Sequence, residues 1–301
     1  MQVFWPIEGG QLPNRDGVTG FALTLAALVA FATNSILCRL ALGNEAIDAY
    51  SFTAVRLGSG ALVLLLLNAS RKQQPDRSNG SWSGTLFLIL YAFPFSLAYV
   101  RLDTGTGALL LFGAVQLTMI GHGLRSGERP QPLEWLGLGG AVTGVAYLVF
   151  PGLTSPDPIG AAFMVTAGIG WGGYSIIGKS AGDPASVTAG NFRRAALLVV
   201  PTVALAWGWL DLSPRGLLLA AASGALASGL GYTVWYAALK HLALTRAALA
   251  QLAVPVIAAG GGVVFVGESI TLRLALASAM ILGSIAIGIL GRMEPSTTGQ
   301  R

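Results

Sequence analysis

Apolar residues run along this chain in long blocks, and polar residues collect in short breaks between them. A membrane-crossing helix needs about 20 apolar residues, and ten blocks approach or exceed that length. They cover residues 18–38, 49–68, 83–100, 105–123, 133–150, 158–178, 187–208, 216–238, 244–266 and 271–290. The breaks carry turn chemistry, as in Arg71-Lys72-Gln73-Gln74-Pro75-Asp76-Arg77 and Gly127-Glu128-Arg129-Pro130. Pro151-Gly152-Leu153-Thr154-Ser155-Pro156 and Asp211-Leu212-Ser213-Pro214 are two more. The pattern predicts an all-α polytopic membrane protein with ten transmembrane helices.

Composition narrows the picture. Of 301 residues, 53% are hydrophobic and only 10% are charged, and the mean hydropathy is +0.67. A soluble domain carries roughly 25% charged residues, so a soluble enzyme is excluded. The ten spans leave room for loops and tails only. Cys38 is the single cysteine, and no Cys/His cluster exists, so neither an internal disulfide nor a metal or cofactor site is expected. The first block is too long for a signal-peptide core and lacks a basic leader. The net charge of +5 does not point to nucleic acid, because the basic residues flank the spans. One flank, which also holds both termini, carries Arg15, Arg71, Lys72, Arg77, Arg125, Arg129, Lys179, Lys240, Arg246, Arg292 and Arg301. The other carries Arg39, Arg101, Arg215 and Arg273. The positive-inside rule therefore places both termini in the cytoplasm.

The two halves resemble each other. Phe31-Ala32-Thr33-Asn34-Ser35-Ile36-Leu37-Cys38-Arg39 aligns with Trp171-Gly172-Gly173-Tyr174-Ser175-Ile176-Ile177-Gly178-Lys179. Gly127-Glu128 matches Gly267-Glu268 at the same offset, and Arg56, Phe95 and Tyr99 match Arg193, Tyr232 and Tyr236 at a slightly shorter one. Each copy holds five spans, an odd number, so the second must enter the membrane from the opposite side. The expected organisation is two inverted five-helix repeats, residues 18–152 and 153–291, between cytoplasmic tails 1–17 and 292–301.

These residues resemble the drug/metabolite transporter superfamily, in its ten-helix EamA-type branch, over nearly the whole chain. The clearest stretch is Trp235-Tyr236-Ala237-Ala238-Leu239-Lys240-His241, followed by Ala247-Ala248-Leu249-Ala250, Pro255 and Gly267-Glu268. The first half keeps a decayed version in Ala98-Tyr99-Val100-Arg101-Leu102, Ala108-Leu109-Leu110 and Gly127-Glu128, with Val115-Gln116 where the second half has Pro255. Within the superfamily, the length, the Phe31 to Arg39 stretch and Val115-Gln116-Leu117-Thr118 are most similar to the aromatic amino-acid exporters of bacterial inner membranes. The resemblance implies an inner-membrane exporter of aromatic amino acids and related small metabolites, working by alternating access. Another metabolite or a cationic drug is the alternative cargo. The partners are then the small-molecule substrate and the lipid bilayer; oligomeric state stays open.

Candidate cavity residues follow from shared helix faces. Tyr91, Phe95 and Tyr99 recur every four residues, and Tyr232, Trp235 and Tyr236 fall at i, i+3 and i+4. Asn34 on the first span and Trp171 and Tyr174 on the sixth join them, as do Gln116 and Gln251, polar residues at membrane depth. Aromatic faces stack an indole or phenyl ring, and the same residues also fill helix interfaces. Trp82, Trp135, Trp207 and Trp209 sit near span ends and read as interface anchors. Arg56 and Arg193 lie inside their spans, where each either snorkels to the interface or binds a carboxylate. Pro255 is expected to bend the ninth span. Glu128 and Glu268 are expected to cap helices or fix turns. No acidic residue lies mid-membrane, so proton coupling through a buried carboxylate is not expected. His122 and His241 stand apart, and no paired-Asp motif, nucleophile elbow or phosphate loop occurs, so the chain is not expected to be an enzyme. A polytopic membrane enzyme is the distant alternative.

Overall fold

The computed structural model describes residues 15–70, 80–125, 132–150, 152, 155–179, 182–205, 211–242, 247 and 250–293. The described elements are helices joined by short turns, with an isolated antiparallel bridge between Ile47 and Leu212. In order, the helices are α1 (Arg15–Leu42), α2 (Ala49–Ser70), α3 (Trp82–Tyr99), α4 (Thr104–Arg125) and α5 (Pro132–Val149). Then come α6 (Pro158–Lys179), α7 (Pro184–Leu205) and α10 (Leu272–Met293), with α8 (Pro214–His241) and α9 (Ala253–Val266) between the last two. Six of them, α1 to α4, α6 and α8, are long and apolar enough to cross a membrane. Shorter apolar stretches occupy α5, α9 and α10.

The helix starts are written into the sequence. Asp48 Oδ1 accepts from the backbone N–H of Tyr50 and Ser51, both at 2.9 Å, and opens α2. Asp183 Oδ2 accepts from Ser186 N–H at 2.9 Å and opens α7. Ser81 and Ser213 accept from Gly84 N–H at 2.9 Å and Gly216 N–H at 3.0 Å, opening α3 and α8. Each side chain satisfies a donor the helix leaves without a partner, and Pro158, Pro184 and Pro214 supply a preset φ at the first helical position. The same cap chemistry thus recurs at corresponding helices of the two halves.

Two helices are irregular. Within α8, residues Ser223–Leu230 are π-helical, a form that appears mostly as short bulges at functional sites. The helix leading into α9 is interrupted at Leu252, three residues before Pro255. Proline has no N–H to give and crowds the carbonyl four residues back, which accounts for the break. Residues 244–246 and 248–249 of the ninth expected span lie outside the described residues.

The pairing of helices repeats itself. α2 packs on α7, α5 on α10 and α4 on α9; α3 packs on α6 as α8 does on α1, and α4 on α6 as α9 does on α1. Replacing each helix by the one five later leaves this pattern unchanged. α5 and α10 approach most closely: a methyl group on Gly137 would strike the Ser284 carbonyl and Gly288, and one on Gly140 would strike the Ser284 side chain. Small residues let two backbones pack where lipid gives no hydrophobic drive. Large apolar side chains such as Leu66, Leu86, Leu218 and Val264 are exposed on the outside. The centre holds Trp171, Trp235, Arg56, Tyr99, Tyr174 and Tyr232 among its largest fully buried side chains.

Candidate functional site

The only arginine among the buried polar residues described, Arg56, is 1% exposed on α2. It does not snorkel; its side chain turns into the bundle. Its Nε donates to Ser228 Oγ at 2.9 Å, and Nη2 donates to the hydroxyls of Tyr91 at 2.9 Å and Tyr232 at 2.7 Å. The guanidinium also lies over the rings of Tyr91, 5.0 Å from the centroid, and Phe95, 4.9 Å away. Nη1 is buried with no hydrogen-bond partner. No carboxylate pairs with this charge in the described residues.

A polar web surrounds it. Asn34 Nδ2 donates to Tyr91 OH at 3.0 Å, and Asn34 Oδ1 accepts from Ser223 Oγ at 2.6 Å and Ser228 Oγ at 3.4 Å. Ser223 and Ser228 are five residues apart, a spacing that splays them on an α-helix. The i→i+5 pitch of the π-helical stretch brings both to Asn34. Gly224 lies so close to the Arg56 carbonyl that a Cβ there would collide with it, so α2 and the π-helical stretch touch at the backbone.

Aromatic rings form one continuous cluster. Trp171 is 5.2 Å from Phe31, 5.2 Å from Tyr91 and 4.6 Å from Tyr232, centroid to centroid. Phe95 meets Tyr99 at 4.8 Å, Tyr174 stacks on Tyr236 at 5.3 Å, and Trp235 reaches Phe31 at 5.5 Å. The rings of the two halves therefore interlock. Trp171 Nε1 donates to Gln251 Oε1 at 3.2 Å. Between the rings lies a cavity of about 10 Å³, lined by Phe31, Ser35, Tyr91, Phe95, Leu111, Phe112, Trp171 and Tyr232. That is the room of one water molecule. The site is closed, and any larger ligand requires the rings to part.

Of the residues expected here, Asn34, Tyr91, Phe95, Tyr99, Trp171, Tyr174, Tyr232, Trp235, Tyr236 and Gln251 are all buried in or beside this cluster. Gln116 is fully buried on α4, about one turn beyond Phe112, but does not line the cavity. Arg193 is exposed on α7 and does not reach it. The helix caps explain the difference. Aligning Asp48 with Asp183 aligns Ser51 with Ser186 and Thr53 with Thr188, which sets Arg56 against Asn191. Asn191 is fully buried, and its Oδ1 accepts from Ser81 N–H at 2.9 Å. Phe112, Ser223 and Ser228 had no signal in the sequence that set them apart from other apolar or small residues of their helices.

One end of the cluster is tied by charge. Arg39 on α1 pairs with Glu268 at 3.1 Å and Asp103 at 3.3 Å, and donates to the Tyr99 carbonyl at 3.1 Å. Both Glu268 oxygens accept from Thr104 N–H, at 3.0 and 2.9 Å. Glu268 therefore caps α4 rather than the helix that follows it in sequence. Glu128, its counterpart in the first half, lies outside the described residues, as do Trp207 and Trp209.

The profile of the EamA-like transporter family matches the chain twice, over residues 18–150 and 158–290. An uncharacterised protein of Pseudomonas aeruginosa is 47% identical over 90% of this chain and 94% of its own length. The threonine/homoserine exporter RhtA of Salmonella typhimurium is 29% identical over 83% of this chain and 85% of its own. RhtA of Escherichia coli K12 is 29% identical over 82% and 84% respectively. A crystal structure at 21% identity superimposes with a TM-score of 0.66, covering 89% of this chain and 98% of its own, and shares the fold. None of these relatives ties the chain to the aromatic amino-acid exporters in particular. With two copies of the family profile laid over a bundle of apolar helices around a buried site, this chain belongs to the EamA-like transporter family, membrane transporters of small metabolites.

Proposed function

We propose that the chain is a bacterial inner-membrane exporter that works by alternating access and carries small carboxylate-bearing metabolites, aromatic amino acids among them. One observation carries this: Arg56, buried and with no carboxylate partner among the described residues, stands directly behind the cavity wall formed by Tyr91, Phe95 and Tyr232. A charge at membrane depth is costly and marks a substrate path or a counter-ion. Here the missing anion is the cargo's carboxylate, and the aromatic wall receives its apolar body at about 1 kcal/mol per ring contact. Residues 18–152 and 153–291 act as inverted five-helix repeats with both termini cytoplasmic, which the exchange symmetry of the helix pairing and the basic flanks support.

Two specific observations weigh on the cargo. RhtA, 29% identical, is a threonine/homoserine exporter, which favours a small hydroxylated amino acid. The six aromatic rings on the cavity wall favour a larger apolar body. A cationic drug fits neither the buried guanidinium nor the absence of a buried acid among the described residues. The test is uptake of labelled phenylalanine into proteoliposomes, with unlabelled threonine, tryptophan and an organic dication as competitors. Saturable uptake blocked by tryptophan establishes the aromatic cargo. Block by threonine alone moves it to the relatives' class, and block by the dication alone overturns the proposal.

A further inference from the structure

An amino acid brings two charges into the membrane, and the site offers a counterpart for one. Among the described residues no Asp or Glu is buried, while Arg56 is. Glu268 and Asp103, at one end of the cluster, are already held by Arg39. The amide oxygens beside the cavity are engaged too: Asn34 Oδ1 by Ser223 and Ser228, Gln251 Oε1 by Trp171. Three pure donors are left over, along with the hydroxyls of Tyr174 and Ser175 on α6, which can donate as well as accept. Arg56 Nη1, Trp235 Nε1 and Gln251 Nε2 are buried with no acceptor. Phe31 packs against Trp235 and Trp171, Trp171 holds Gln251, and Tyr91 and Tyr232 join Trp171 to Arg56, so the three donors surround one cluster. Buried polar groups are normally paired, and orphans of which three can only donate call for an acceptor. A carboxylate, which only accepts, is one. An α-ammonium, with three donors, meets ring faces of which Tyr91 and Phe95 already hold the Arg56 guanidinium, and with them a like charge. Its transfer from water is then uncompensated by any counter-ion.

Building on the carboxylate reading above, we infer that the site recognises monocarboxylates with an apolar or aromatic body, and that the α-ammonium of an amino acid adds nothing to binding. The carboxylate bonds to Arg56 in place of the tyrosine hydroxyls that now occupy it. The rings of Phe31, Tyr91, Trp171 and Tyr232 enclose the body once they part. Aromatic acids lacking an amino group therefore belong to the cargo.

A matched series tests this: phenylalanine, 3-phenylpropionate, which lacks the ammonium, and phenethylamine, which lacks the carboxylate. Each is titrated into the purified full-length protein in detergent, followed by intrinsic tryptophan fluorescence. The expected order has 3-phenylpropionate binding within three-fold of phenylalanine or tighter, and phenethylamine at least ten-fold weaker. Arg56→Gln removes the preference for the carboxylates, Arg56→Lys keeps it, and Arg193→Gln, on the exposed face of α7, changes nothing. Phenylalanine binding more than three-fold tighter than 3-phenylpropionate overturns the inference and leaves the carboxylate reading standing. Phenethylamine binding as well as the other two, or no binding by any, removes both.

Discussion

Replacing Arg56 by methionine separates a cargo residue from a structural one. Three hydrogen bonds leave from the guanidinium, to Ser228, Tyr91 and Tyr232. Bonds to a charged group contribute about 1.5–3 kcal/mol each, or roughly 4–9 kcal/mol together. Two ring contacts, to Tyr91 and Phe95, add about 0.5–2 kcal/mol apiece. Against this stands the removal of a guanidinium from water, which costs several kcal/mol, and apolar replacements of buried ionic groups are often neutral or stabilising by about 1–4 kcal/mol. The groups left behind keep partners: Tyr232 OH still donates to Tyr91 OH at 3.2 Å, and Ser228 Oγ to Asn34 at 3.4 Å. By that precedent the gains and the cost of burying the charge are of the same order. Arg56→Met is therefore expected to unfold in detergent within a few degrees of the wild type, since about 1 kcal/mol moves Tm by roughly 2–4 °C in domains of about 150–250 residues. Transport into proteoliposomes is expected to fall at least a hundred-fold, the loss of a buried charge pair with the cargo. Thermal unfolding and uptake are measured on the same preparation. A drop in Tm beyond about 10 °C together with normal uptake would refute the reasoning, because the arginine would then serve the fold and not the cargo.

Further outcomes are expected on the same footing. Trp171→Ala removes the ring that touches Phe31, Tyr91 and Tyr232; transport falls at least ten-fold while the protein still inserts and purifies, and unchanged uptake would dismiss the aromatic wall. Arg39→Glu and Glu268→Arg each lower Tm by a few degrees by setting like charges together at one end of the cluster, and the double reversal recovers part of the loss; the double variant is the informative one, since additive losses would mean no coupling. Gly140→Leu forces α5 off α10 at Ser284; overpacking of this kind costs about 1–3 kcal/mol and should lower Tm without altering substrate affinity, a separation checked by binding titration.

Much of the fold was legible because span lengths and caps are local chemistry. Asp48, Ser81, Asp183 and Ser213 stand in the sequence just where α2, α3, α7 and α8 begin. The ninth span departs most: residues 244–266 were expected as one helix, and the described helix starts at Ala253 behind the break at Leu252. The proline responsible was visible, but the position of the break it makes depends on what packs around it. The aromatic faces were legible from spacing alone, since Tyr91, Phe95 and Tyr99 recur every turn and all are buried. Facing was not. Distance along a helix gave Arg56 and Arg193 similar depths, and only rotation about the axis sends one inward and the other out. Matching arginine to arginine also hid the true register, which the two Asp caps define and which sets Arg56 against Asn191. Ser223 and Ser228 stayed hidden because a five-residue spacing shares no face on an α-helix.

The wide turn in α8 has a consequence for which changes the chain can absorb. Upstream of Ser223 and downstream of Leu230 the helix is regular, and the π-helical stretch between them sets how far one part is rotated against the other. Deleting one residue from a regular α-helix turns everything after it by about 100°, whereas this wide stretch can absorb a deletion by tightening toward an α-helix. Tyr232, Trp235 and Tyr236 would then largely keep their facing toward Arg56 and Phe31, and Ser223 and Ser228, four residues apart after a deletion between them, would still share a face. Over these eight residues, largely glycine, alanine and serine, one residue of chain length can therefore be absorbed that the regular turns of α8 cannot lose. Ser223, Gly224 and Ser228 meanwhile keep the cluster together through their identity.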